Sequence, residues 1–272
     1  RLSGRYYPDT LLENGNEYQH EASFGSDYYR KEGNREREVR SAFRVAKHDE
    51  TYYDPDDGGV RVVGGVEVEE RMDYLRFGPD FNFRQSYEHI AIGGMLTGQL
   101  WDYSEQDAVA QYDHEYFRLN LYGQYELFES TLLRVTWEGS TRRYSDRPAH
   151  DLDGQQRIGN PNLRYDYFAL AFTARQRILD TLWVGLIAKR TERVDAYLAY
   201  NSYLVDSVGL EASWSPSNRF RIEAHGAYLV YDYPNAFAFH EPTAGNKTQE
   251  SAYANLIGTF RITRQLSLVA KA

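Results

Sequence analysis

The chain of 272 residues contains no cysteine. Disulfide frameworks, thiolate metal sites and cysteine nucleophiles are therefore excluded together. It also lacks any run approaching the roughly 18 to 20 apolar residues that a membrane-crossing helix requires, and its mean hydropathy is −0.68. A membrane crossing, if the chain makes one, must then be a closed sheet, in which every backbone polar group finds a partner. A basic surface is missing as well: the formal net charge is −9 and the isoelectric point is near 5.3. Phosphate backbones need the opposite balance, so no nucleic-acid partner is expected. No glycine-rich phosphate loop precedes a helical pattern, and no fixed repeat or low-complexity tract divides the chain. Arg1 opens the sequence without initiator Met or leader, which reads as a processed form or a fragment.

What the sequence has in quantity is aromatic side chains: 24 Tyr, 13 Phe and 4 Trp within a hydrophobic content of 42%. Rings with one apolar and one polar end suit a boundary between oily and wet phases. Between Glu115 and Arg142 they fall into a period of two, the strand period, which conflicts with the helical 3.6. Phe117, Leu119, Leu121, Tyr125 and Leu127 share one face, and Arg118, Asn120, Tyr122, Gln124 and Glu126 share the other. After Phe128-Glu129-Ser130 the pattern resumes, with Leu133, Val135 and Trp137 against Arg134, Thr136, Glu138, Ser140 and Arg142. Two alternating runs about a short polar break read as a hairpin.

The same unit recurs around Leu179-Asp180-Thr181, Ser215-Pro216-Ser217-Asn218 and Arg264-Gln265, and earlier at Lys31-Glu32-Gly33-Asn34 and Ser86-Tyr87-Glu88. Longer polar links lie between these tight turns: Asp54 to Gly59, Ser145 to Pro161, Thr191 to Asn201 and Pro234 to Glu250. Short turns on one side and long loops on the other are the arrangement of membrane-spanning up-and-down barrels. From Val60 to Arg84 the spacing predicts one long strand, broken near Gly78-Pro79, in preference to an added hairpin at Met72-Asp73-Tyr74. The fold expected is all-β, an antiparallel up-and-down transmembrane β-barrel of about 13 strands here. An even count in closed bacterial barrels suggests about 14 in the complete protein. Residues 1–272 then form a single barrel domain that lacks a C-terminal strand after Leu266 to Ala272.

The charged face sets the phase of that barrel. An Arg at the lipid midplane costs about 2 to 4 kcal/mol, so the face bearing Arg and Glu belongs inside. The lumen-lining candidates are accordingly Arg61, Glu67, Glu69, Arg118, Tyr122, Glu126, Arg134, Glu138, Arg142, Arg221, Glu223 and His225, opposite Val60, Val62, Val66, Val68, Phe220, Ile222 and Ala224. A soluble sheet with one wet face would also alternate. Its strands run to about 5 or 6 residues, however, and Gln111 to Leu127 and Phe220 to Tyr233 stay regular for far longer.

Segments with aromatic ends, such as Tyr165-Asp166-Tyr167-Phe168-Ala169-Leu170 and Tyr228-Leu229-Val230-Tyr231-Asp232-Tyr233, resemble those of Gram-negative outer-membrane β-barrel proteins. Porin-like and exporter-like members are similar, and barrels associated with exopolysaccharide export come nearest. That resemblance implies localisation in the cell outer membrane, contact with outer-membrane lipid, and passage of a solute or polymer. Such barrels end in an aromatic strand, from which this chain departs.

Other motifs add little chemistry. Asp54, Asp56 and Asp57 beside Gly58-Gly59 offer carboxylates to a calcium ion, but the spacing is not that of an EF-hand and such steps are ordinary turn chemistry. No metal site and no cofactor is expected. His114 beside Asp113 and Glu115, and His150 beside Asp151, point away from those neighbours in a strand. His225 shares a face with Glu223 and Arg221, which suits a hydrogen-bonded lumen residue better than a general base. No catalytic residue is assigned and the chain is not read as an enzyme. Asn246-Lys247-Thr248 matches a glycosylation sequon without a context that would use it.

The leading expectation is an outer-membrane channel or exporter for a solute or polymer, a polysaccharide among the candidates, with a charged, Tyr-containing lumen in which Tyr122 offers a stacking surface for sugar rings. The alternative is a scaffold barrel that encloses or docks an envelope protein partner. An outer-membrane hydrolase ranks third.

Overall fold

A computed structural model describes residues 2–5, 17–51, 62–63, 66–67, 72–103, 112–237, 245–262 and 267–271, with side chains for 20–47, 74–103, 112–235 and 245–262. The strands in chain order are β1 (Leu2–Arg5), β2 (Glu17–Glu32), β3 (Arg35–Thr51), β4 (Val62–Val63), β5 (Val66–Glu67), β6 (Met72–Tyr87), β7 (Ile90–Tyr103) and β8 (His114–Leu127). They continue as β9 (Thr131–Pro148), β10 (Asn162–Leu179), β11 (Leu182–Asp195), β12 (Tyr203–Ser217), β13 (Phe220–Phe237), β14 (Asn246–Arg261) and β15 (Ser267–Lys271). There is no helix among the described residues.

Thirteen of these strands form one antiparallel sheet in strict chain order, each pairing with its neighbours in sequence. This is the up-and-down, all-β architecture that the alternation predicts. No pairing joins β1 to β15 among the described residues, so the barrel wall is unclosed there. The long strands, β2, β3 and β6 to β14, run 14 to 18 residues. Tight turns stand at Gly33-Asn34, Glu88-His89, Phe128-Ser130, Asp180-Thr181 and Asn218-Arg219. The turn expected at Arg264-Gln265 and the loop Asp54 to Gly59 lie outside the described residues.

One stretch corrects the sequence reading. The strand expected from Val60 to Arg84 begins only at Met72 and then passes unbroken through Gly78-Pro79 to Tyr87. Upstream, Val62 pairs with Glu67 and Val63 with Val66 in a separate two-stranded sheet. In the sequence these paired residues are separated by Gly64-Gly65, a pair suited to a two-residue hairpin. Alternation on both sides of that pair had the look of one strand.

The two faces of the large sheet differ in exposure. Buried strand side chains, among them Ala46, Ala91, Tyr103, Tyr144, Tyr165, Ala169 and Val205, all sit on one face by the strand registers. The other carries exposed apolar groups in every long strand, with Phe24 at 87%, Leu210 at 63% and Leu170 at 57%. Side chains crowd on the concave side of a curled sheet and splay on the convex side, so the first face is the inner wall. The principal apolar cluster also lies inside, at the long-loop end: Tyr103, Tyr112, Tyr144, Ala149, Leu163 and Tyr165, flanked by Tyr74, Trp101 and Tyr167.

Candidate functional site

Among the described residues the inner wall is the face with polar chemistry running the length of the strands, and register determines which side chains meet. Arg118 pairs with Glu138 across β8 and β9, and the Asn120 Nδ2 donates to the same carboxylate at 3.3 Å. On β3, β6 and β7, Arg44 pairs with Asp80 at 2.8 Å, whose other oxygen accepts from the Thr97 hydroxyl at 2.8 Å. Both Asp80 and Thr97 are buried, so a low local dielectric strengthens that network.

Toward the short turns, β9 to β14 line a half-open hollow of about 430 Å³, bordered by Arg175, Trp183, Glu211, Ser213, Arg221, Glu223, His225 and Asn255, among others. Register places Arg175, Gly185, Glu211, His225 and Asn255 in one row across five strands. Arg175 holds both oxygens of Glu211 by reaching over β11. Gly185 permits this, because a Cβ there would lie 2.6 Å from the Glu211 Oε1. Arg221 pairs with Glu223 at 2.6 Å along β13, and the His225 ring stands 5.4 Å from that of Tyr253.

Most lumen candidates thus occupy the inner wall: Arg118, Tyr122, Glu126, Arg134, Glu138, Arg142, Arg221, Glu223 and His225. Arg61 and Glu69 lie outside the described residues. Glu67 falls in the small hairpin and not in the large sheet, which removes the strand pattern that had placed it in the lumen. Tyr122 also departs from its expected part. Its ring lies against Gly93, where a Cβ would meet it at 2.5 Å, and the Arg134 guanidinium covers it at 3.9 Å. Gly93 thus receives the hydroxyl end of the ring, and one ring face is taken by a cation and not by a sugar. Sequence reading missed Arg175, Glu211, Trp183 and Asn255. Parity within each strand would have placed them inside, but only register joins them.

At the long-loop end the inner wall carries rings and cations. Arg193 lies 4.7 Å from the Tyr165 ring and 4.2 Å from the Tyr203 ring. Arg76 covers Trp101 at 5.0 Å, and Arg147 covers Tyr112 at 4.9 Å. His114 is buried, with its Nδ1 at 2.7 Å from the Tyr112 carbonyl oxygen and its ring stacked on Trp101. His150 meets the Asn201 amide at 3.0 Å and stacks on Tyr200. The His150 contacts join the loops 149–161 and 196–202 to each other, and Asn201 ties the second to the wall, its Nδ2 donating to the Tyr165 hydroxyl at 3.3 Å and its carbonyl oxygen accepting from the Arg193 Nε at 2.9 Å. Within the first loop, Arg157 bonds to Asp153 and holds its carboxyl below the usual range. No cluster of three metal-binding side chains occurs among the described residues, and Asp54, Asp56 and Asp57 fall outside them.

No family model matches the chain, and no curated protein matches it. Solved structures similar to it include OmpT, an outer membrane protein of Vibrio cholerae folded in vitro, at 9% identity, covering 89% of this chain and 87% of that one, with a TM-score of 0.44. Its trimer form gives 8% identity, coverage of 95% and 97%, and a TM-score of 0.44. The β-domain of the Bordetella autotransporter Brka gives 13% identity, coverage of 89% and 90%, and a TM-score of 0.40.

Proposed function

We propose that the chain is an outer-membrane β-barrel of a Gram-negative-type envelope and that it passes a solute or polymer through a charged lumen. One observation carries the reading: an apolar convex face spread over the whole sheet against a polar concave one. Phe117 to Leu127 on β8 spans about 33 Å of strand, or about 25 Å of membrane depth at the usual tilt. Soluble monomers rarely expose an apolar patch beyond about 300 to 600 Å², and lipid is the solvent that suits this one. At the loop-side edge of the band, ion pairs return to the convex face, Arg164 with Asp166 and Arg190 with Asp206, each at 2.7 Å. That is where headgroups and water would begin.

Passage through the lumen needs no chemical step, only polar side chains along the wall and space between opposite walls. The ring cluster at the loop end favours a second reading, a barrel filled by its own side chains that serves as a scaffold for an envelope partner. Conductance in planar bilayers separates the two. A passage gives stepwise, steady currents from folded protein, whereas a filled barrel gives none.

A further inference from the structure

We infer that the passage selects for anions, although the chain as a whole is acidic; this rests on the transport reading above and names its solute class. Along the paired parts of β8 to β11 the inner wall carries more cations than carboxylates. The carboxylates there are Glu126, Glu138 and Asp195, placed inside by register. Two of the cations are matched, Arg118 by Glu138 and Arg175 by Glu211 of β12.

Others rest on rings. Arg134 lies over Tyr122 at 3.9 Å, Arg177 over Trp183 at 5.5 Å and Arg193 between Tyr165 and Tyr203. An aromatic face holds a cation through its quadrupole and leaves the net charge in place. A carboxylate would cancel it. Lys189, inside on β11, is exposed. The net −9 of the whole chain therefore lies elsewhere than on this sector, which presents positive potential to the lumen. Between low-dielectric walls such a field attracts a solute of fixed negative charge and repels cations.

The test is the reversal potential of the full chain in planar bilayers under a KCl gradient. The expected sign is that of chloride preference. The combined variant Arg134→Gln, Arg177→Gln, Lys189→Gln shifts it toward potassium, each neutralised charge lowering the chloride-to-potassium permeability ratio by roughly twofold. Arg190→Gln, on the convex face, leaves it unchanged. Lys189→Gln alone, at an exposed position, gives the same direction of shift if the combined variant does not fold. A conducting channel that prefers potassium, or one whose potential ignores these inner substitutions, overturns the anion inference alone. Absence of any current from folded protein overturns the transport reading beneath it.

Discussion

Arg118 and Glu138 carry the residue-scale logic. Their side chains are 34% and 23% exposed, and the Arg118 Nε is buried without a hydrogen-bond partner. The guanidinium therefore depends on the carboxylate across the strand. Removing one member of such a pair leaves a charge in a poorly solvated position, which costs more than the pair itself contributes. Glu138→Ala should lower the unfolding free energy in detergent or lipid by about 2 kcal/mol, measured by denaturant titration. Replacing both partners with apolar residues should recover much of that loss. An unchanged midpoint for Glu138→Ala would mean that lumen water solvates Arg118 as well as the carboxylate does. This pairing was only half legible in sequence. Period-two spacing put both residues on one face, but the contact follows from register, in which Asn120 stands opposite Glu138 and Arg118 opposite Ser140. Tyr122 shows the same limit, because parity turned it inward without revealing that Arg134 covers its ring.

At the scale of elements, the short turns were the most legible features and the most open to improvement. Phe128 and Glu129 both adopt left-handed backbone, at φ 57° and 51°, where a Cβ is disfavoured by roughly 1 to 2 kcal/mol per residue. The turn is held from outside: the Arg177 Nη2 donates to the Glu129 carbonyl oxygen at 2.6 Å, and its backbone N–H to that of Ser130 at 2.7 Å. Replacing Phe128-Glu129 with Asn-Gly should raise the unfolding free energy by about 1 kcal/mol without altering conductance, checked by denaturant titration beside single-channel recording. The polar breaks flanking each hairpin told where the chain reverses, and strand parity told which residues share a face. The small β4–β5 hairpin was hidden because valines alternate on both sides of Gly64-Gly65. The five-strand row from Arg175 to Asn255 was hidden because its members lie far apart in sequence and meet only through successive registers.

At the scale of the whole molecule, two faces of opposite character govern one curled sheet, and the inner charges acquire meaning only if the outer face meets lipid. A wet convex face would leave Phe24, Leu170 and Leu210 in water with nothing to cover them, each side chain losing about 1.5 to 3 kcal/mol of burial. The absence of cysteine makes the decisive measurement clean, because single cysteines can be introduced along β8 and β9 without background. Such variants, reconstituted into lipid vesicles, are labelled with a membrane-impermeant maleimide and, separately, with a nitroxide read against lipid-soluble and aqueous quenchers. Positions 117, 121, 135 and 137 should contact lipid and resist the aqueous label, while 120, 124, 136 and 140 should show the reverse, alternating residue by residue. Uniform aqueous labelling of both faces would contradict the membrane barrel outright.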